Sequence, residues 1–151
     1  MTPRALLERA LTLNPNLALA FQLGGWVNLY AGDPAGAVDW FNRGKRLSPL
    51  DARNFIYYSG LAYALIMLGR DEEALDWANK AVASNPSWMT GWRALASALA
   101  HLGRAEEARA LGSRIRREVP GYRISNTRQL MRPSPGLDRY LEGLRRAGLP
   151  E

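Results

Sequence analysis

The side chains that most often carry chemistry are sparse in this chain. It has one histidine, His101, and no cysteine, which excludes disulfides and thiolate sites and leaves no second imidazole for a metal cluster or a Ser/His/Asp arrangement. Three consecutive acids, Asp71, Glu72 and Glu73, could be drawn as a metal site. Successive helical residues point in different directions, so a solvated first turn of a helix is the expectation. Neither G-x-x-x-x-G-K-[ST] nor G-x-G-x-x-G occurs, so there is no phosphate-cradling loop. No catalytic residue, metal or cofactor is expected, and the chain reads as a non-enzyme.

The charge is uneven. Lys and Arg number 20 against 14 Asp and Glu, for a net charge of +6. Residues 1–103 carry 9 basic and 8 acidic groups, and residues 104–151 carry 11 and 6, with every one of those 11 an arginine. Arg114, Arg116, Arg117, Arg123, Arg128 and Arg132 suit phosphate oxygens or an acidic protein partner. They fall on several helix faces and no aromatic interleaves with residues 114–117. A solvated face is therefore the principal reading, with an acidic partner or nucleic acid as alternatives. No run approaches the ~20 apolar residues of a membrane span and no leader opens the chain, so a cytoplasmic protein is expected.

These side chains must be placed by helices. Prolines at Pro15, Pro49, Pro86 and Pro120 are spaced by 34, 37 and 34 residues, and each of the first three is followed by a glycine, at Gly32, Gly69 and Gly103. Each glycine opens a second signature: Gly32-Asp33-Pro34-Ala35-Gly36-Ala37, Gly69-Arg70-Asp71-Glu72-Glu73-Ala74 and Gly103-Arg104-Ala105-Glu106-Glu107-Ala108. Glycine ends a helix in the left-handed conformation, acids suit the first turn of the next helix, and proline stops it. The period predicts helix hairpins, with first helices near 17–31, 52–68 and 88–102 and second helices near 34–47, 71–84 and 105–118.

This pattern resembles the tetratricopeptide repeat. The family's early aromatic corresponds to Phe21, Tyr58 and Trp92. Its apolar and small pair corresponds to Gly24-Gly25, Leu61-Ala62 and Leu95-Ala96, its second-helix alanine to Ala37, Ala74 and Ala108, and its closing proline to Pro49, Pro86 and Pro120. The later aromatic is Phe41 in the first repeat but Ala78 and Gly112 in the others, so looser packing is expected there. The resemblance implies an all-α, right-handed superhelix. Its parts are a residual second helix over 1–14, repeats over 15–49, 50–86 and 87–120, and a linker and capping segment over 121–151. The middle repeat has three extra residues, which predict a first helix longer by about one turn.

The two ends are irregular. Residues 3–13, with Leu6, Leu7, Leu11 and Leu13, read as a second helix without its first, as in a fragment of a longer protein, and this edge could pair with a second copy. Residues 124–131 are a short helix candidate. After Pro133-Ser134-Pro135-Gly136, the residues Leu137, Tyr140, Leu141 and Leu144 form one apolar stripe, suited to a helix that caps the superhelix.

In the resembled family the concave surface is lined by one stripe of the first helices. Here that stripe maps to Gln22, Trp26, Leu29 and Tyr30, to Ser59, Tyr63, Ile66 and Met67, and to Arg93, Ser97, Ala100 and His101. Such a wall suits an apolar peptide or helix, with Arg93 its one cation, or else the chain's own C-terminal segment. Trp40, Trp77 and Trp88 are expected to pack between layers. Residues 47–51 and 139–151 further resemble the repeat region that follows the catalytic domain in bacterial adenylate and guanylate cyclase-type signalling proteins. That resemblance implies a regulatory or scaffolding tail, whose partner could be its own cyclase domain, with none of the cyclase's metal or nucleotide residues present. The function expected is a protein-interaction module.

Overall fold

A computed structural model describes residues 2–14, 18–47 and 49–151, without the side chains of Arg4, Leu7, Glu8, Ala10, Leu11 and Ala18. Pro15 and the apolar contacts expected of Leu7 and Leu11 lie outside the described residues. Among the described residues there is no strand. The helices are α1 (Pro3–Leu13), α2 (Ala18–Tyr30), α3 (Pro34–Leu47), α4 (Phe55–Met67), α5 (Asp71–Ser84), α6 (Met89–His101), α7 (Ala105–Glu118), α8 (Ile124–Leu130) and α9 (Pro135–Arg146).

The hairpin turns share one chemistry. Gly32, Gly69 and Gly103 have φ of 82°, 77° and 78°, a region that only glycine enters without strain. In the middle turn Gly69 N–H donates to the Ile66 carbonyl at 3.0 Å and Arg70 N–H reaches back to the Leu65 carbonyl at 2.8 Å. This paired bonding closes the helix end by satisfying carbonyls that have no intrahelical donor. Arg70 then holds Glu73 at 2.6 Å, as Arg104 holds Glu107 at 2.7 Å, inside the first turn of the following helix. At the far ends Asn85 and Val119 leave helical geometry ahead of Pro86 and Pro120.

Close approach of the hairpins depends on glycines opposite aromatic rings. Phe41, fully buried, lies against Gly25 on α2 and Gly60 on α4, where a Cβ on either would overlap its ring. The expectation of loose packing at Gly112 is corrected. A Cβ there would overlap the Ala147 carbonyl, so the end of α9 fills the place an aromatic takes in the first repeat. The extra residues of the middle repeat form a 3-10 turn, Ala52–Asn54, in front of an α4 of 13 residues, the same length as α2 and α6. The Asp51 carboxylate accepts from Arg53 N–H at 2.8 Å and holds that turn in the tighter winding. Among the described residues no helix is long and apolar enough to cross a membrane.

Candidate functional site

The stripe of the first helices is brought onto one concave face, and α9 lies in it. Ser134 caps α9 by accepting from Leu137 N–H at 3.1 Å, and Pro135 occupies its first turn, where the missing N–H costs nothing. Leu137, Tyr140, Leu141 and Leu144 are at most 1% exposed, against α4 and α6. The Tyr140 ring stacks on Tyr63 with centroids 3.7 Å apart at 14°. Gly143 rides on Ser97, where a Cβ would overlap the hydroxyl.

Polar groups fix the register. Ser97 Oγ donates to the Tyr140 carbonyl at 2.9 Å and His101 Nε2 donates to the Arg139 carbonyl at 2.7 Å. Arg139 makes a bidentate pair with Asp71 at 2.6 Å on each arm and also donates to the Ile66 carbonyl at 2.8 Å. Asp71 is thus not the solvated first-turn acid expected. The Asp71 carboxylate holds the Arg139 guanidinium above its ordinary range, while partial burial opposes this. The linker crosses the end of α2, with Arg132 N–H donating to the Tyr30 carbonyl at 2.8 Å, and the Ile124 N–H on α8 takes the Pro150 carbonyl at 2.8 Å.

Several stripe residues are therefore unavailable to an outside partner, and of the two occupants the sequence left open, the chain's own C-terminal segment is the one that covers them. Tyr63, Ser97 and His101 are occupied by α9, and Met67 lies under Gly136. Ser59 is fully buried and receives the Trp88 indole N–H at 3.0 Å. Leu29, Ile66 and Ala100 are buried between helices. Burial pushes the Tyr63 and Tyr140 phenols well up, with Arg93 pulling the other way.

The first-repeat end stays open. A cleft of about 350 Å³ is lined by Gln22, Leu23, Trp26, Tyr30, Ile56, Trp88 and Thr90. It continues into a narrow recess of about 60 Å³ with Tyr63, Arg93, Thr127, Leu130 and Met131. Leu23, Tyr30 and Leu130 are 47%, 43% and 68% exposed. The Arg93 guanidinium lies 4.6 Å from the Tyr122 ring centroid and is held by the Thr90 hydroxyl at 3.2 Å. Of these residues only Gln22, Trp26, Tyr30, Tyr63 and Arg93 belong to the mapped stripe. Leu23 sits one position beside Gln22 at the edge of the stripe, Ile56 lies one turn ahead of Ser59 on the stripe's own face, and Trp88 precedes α6; Trp88 packs against Phe55 and Ser59 as expected and also presents its ring to the cleft.

The arginine-rich third is only partly paired. Arg114 pairs with Glu118 at 2.9 Å, Arg128 with Glu151 at 3.4 Å, Arg145 with Glu142 and Glu151, and Arg146 with Glu142 at 3.3 Å. Arg116, Arg117, Arg123 and Arg132 have no acidic partner among the described residues. At the other end Leu6 and Leu13 are 55% and 80% exposed.

Comparison with known proteins agrees with this architecture. The tetratricopeptide repeat family matches residues 50–88 and 80–123. Protein STIP1 homolog of Dictyostelium discoideum is 35% identical over 95 residues, 63% of this chain, and the match spans only 16% of that protein's length. Among solved structures, the first TPR of Spaghetti (RPAP3) bound to an HSP90 peptide superposes with a TM-score of 0.63 at 25% identity, covering 75% of this chain and 89% of that one. MamA (TM-score 0.69, 18% identity, 95% and 84% covered) and YrrB, a TPR protein with an unusual peptide-binding site (0.64, 20%, 95% and 74%), share the fold. Residues 50–123, with their glycine-closed hairpin turns, thus match the tetratricopeptide repeat family, and the chain as a whole shares the fold of these solved structures.

Proposed function

We propose that the chain is a protein-interaction module whose working surface is the open, first-repeat end of the concave groove. The observation that supports this most is the cleft of about 350 Å³ walled by Trp26, Tyr30, Leu23, Ile56 and Trp88, beside a groove floor that α9 already fills. Apolar and aromatic walls with a few polar groups suit one or two bulky side chains of a short peptide segment. The first TPR of Spaghetti (RPAP3), solved with an HSP90 peptide bound, is a peptide-scale precedent on this fold. Multiple cations would be needed to grip a strongly acidic peptide terminus, and among the described residues Arg93 is the one cation lining the cleft and its recess. The reading is therefore an apolar segment in a cytoplasmic protein, with no catalytic step.

Selection of a random peptide library on the full chain tests it. Enriched peptides carrying aromatic or branched apolar residues should lose about 2 kcal/mol of affinity on Trp26→Ala, and more on Leu23→Asp. Peptides that bind those variants unchanged would refute the site.

Two finer readings belong to the same proposal. A regulatory tail behind a nucleotide-cyclase domain rests on the resemblance of residues 139–151, which are the residues that fill the groove, and a catalytic domain encoded upstream would support it. Self-association through the N-terminal edge rests on exposed Leu6, Leu13 and Leu19, and a mass that rises with concentration would support it.

A further inference from the structure

The second helices carry cations over aromatic rings in every repeat. Arg43, Lys80 and Arg114 each follow the family's alanine, Ala37, Ala74 or Ala108, by six residues. Arg43 lies 4.9 Å from the Phe21 ring centroid and Arg114 lies 4.0 Å from that of Trp92. Both of these also have a carboxylate, Asp39 at 3.7 Å and Glu118 at 2.9 Å. The middle repeat differs. Lys45 and Lys80 both place their ammonium groups 4.4 Å from the Trp77 centroid, and Tyr58 stacks on the same ring at 5.6 Å. Neither lysine has an acidic partner among the described residues, and Asp76, one turn before Lys80 on α5, is not within ion-pair reach. Burial lowers the Lys45 ammonium's pKa, and the charges of Lys80 and Arg46 lower it further. Like charges gathered on one ring without compensation raise each other's energy, and an anion between them lowers it.

We propose that Lys45 and Lys80, seated on Trp77, form an anion-binding site on the face of the second helices, and that its ligand is a glutamate- or aspartate-rich segment of a partner protein. Trp77 orients the two ammonium groups before binding, which lowers the ordering cost of capturing a carboxylate. Single-stranded nucleic acid is the poorer fit. It needs an aromatic face free for a stacking base, and Tyr58 and two ammonium groups surround this ring. Lysine is also a point charge without the planar fork with which arginine grips phosphate.

Fluorescence anisotropy of the full chain with a labelled octaglutamate peptide at low salt tests the site, with labelled octauridine as the second probe. Lys45→Gln combined with Lys80→Gln should weaken octaglutamate binding about tenfold, and Asp76→Asn should strengthen it by removing a negative charge that repels the peptide. The charge-matched control Arg109→Gln with Arg116→Gln should change it less than about twofold, and unchanged circular dichroism melting shows that the variants fold. The site is overturned if octaglutamate does not bind the unmodified chain, if the lysine double variant binds it as well, or if the control loses as much. It is equally overturned if octauridine binds more tightly through the same two lysines.

Discussion

Replacing Tyr140 by phenylalanine should stabilise this protein, although most core substitutions do the reverse. The Tyr140 ring is fully buried and stacked on Tyr63 at 3.7 Å, and among the described residues its buried hydroxyl has no partner within hydrogen-bond geometry. In the unfolded chain that hydroxyl bonds to water, so folding strips it of a partner at about 1–3 kcal/mol. Phenylalanine keeps the ring, the stacking and the apolar contact while removing only the stranded oxygen. A gain of about 1 kcal/mol in a chain of this size raises the melting temperature by about 2–4 °C. Differential scanning calorimetry at neutral pH measures it, with Tyr122→Phe as the contrast. Tyr122 and Thr127 share a hydrogen bond of 2.6 Å, so that variant should lose about 1 kcal/mol. If Tyr140→Phe lowers the melting temperature as Tyr122→Phe does, the hydroxyl is satisfied in solution. Arg93, the cation acting on it, would then be its donor, and the reasoning fails.

Stability should fall in alkali. Burial raises the phenols of Tyr57, Tyr63, Tyr122 and Tyr140, so their neutral forms favour the fold below an unfolded pKa of about 10 and that contribution is lost as pH rises beyond it. Urea midpoints from pH 8 to 11 should show a downward slope that Tyr140→Phe makes shallower. Gly143→Ala should cost about 1–3 kcal/mol despite alanine's better helix propensity, because its methyl overlaps Ser97 Oγ; a rise in melting temperature would show that α9 does not sit on Ser97. Arg139→Gln should cost about 2 kcal/mol by leaving Asp71, only 12% exposed, without its bidentate partner. The variant's loss should largely vanish in an Asp71→Asn background, and an additive double-mutant cycle would break the pair.

The repeat architecture is legible in the residues because each boundary has a local cause. Glycine at 32, 69 and 103 ends a helix in a conformation other residues resist, and proline at 86 and 120 forbids continuation, so the period needs no knowledge of tertiary contacts. The amphipathic stripe of α9 is readable in the same way. Its seat is not, since Arg139 with Asp71 and Tyr140 with Tyr63 join residues 68 and 77 positions apart, and nothing in the spacing of either segment points to the other. Gly112 illustrates the opposite failure. Read within its repeat it is a missing aromatic, and only the returning chain end shows that Ala147 takes the space. The three additional residues of the middle repeat were misjudged for a local reason, because Asp51 captures Arg53 N–H and winds them more tightly than an α-turn.

The volume of the groove residues decides where the groove is filled and where it is open. In the third repeat the stripe contains Ser97 and Ala100, small enough for a helix to press its backbone against α6, and Gly143 answers Ser97 by presenting no side chain at the point of contact. In the first repeat the same stripe contains Trp26 and Tyr30, whose rings sit 6.0 Å apart, Trp26 edge-on to the buried Phe41 and Tyr30 exposed beside it. A helix backbone cannot approach that wall, although a side chain can insert into it. Accordingly the chain crosses the end of α2 in the extended linker between α8 and α9, with Arg132 N–H donating to the Tyr30 carbonyl, and α9 begins only beyond it. Substituting Trp26 and Tyr30 by small residues would extend the seat available to a helix. The bulky pair in repeat one keeps the cleft at Leu23, Ile56 and Trp88 free of the chain's own C-terminus, which is what a surface reserved for a second molecule requires.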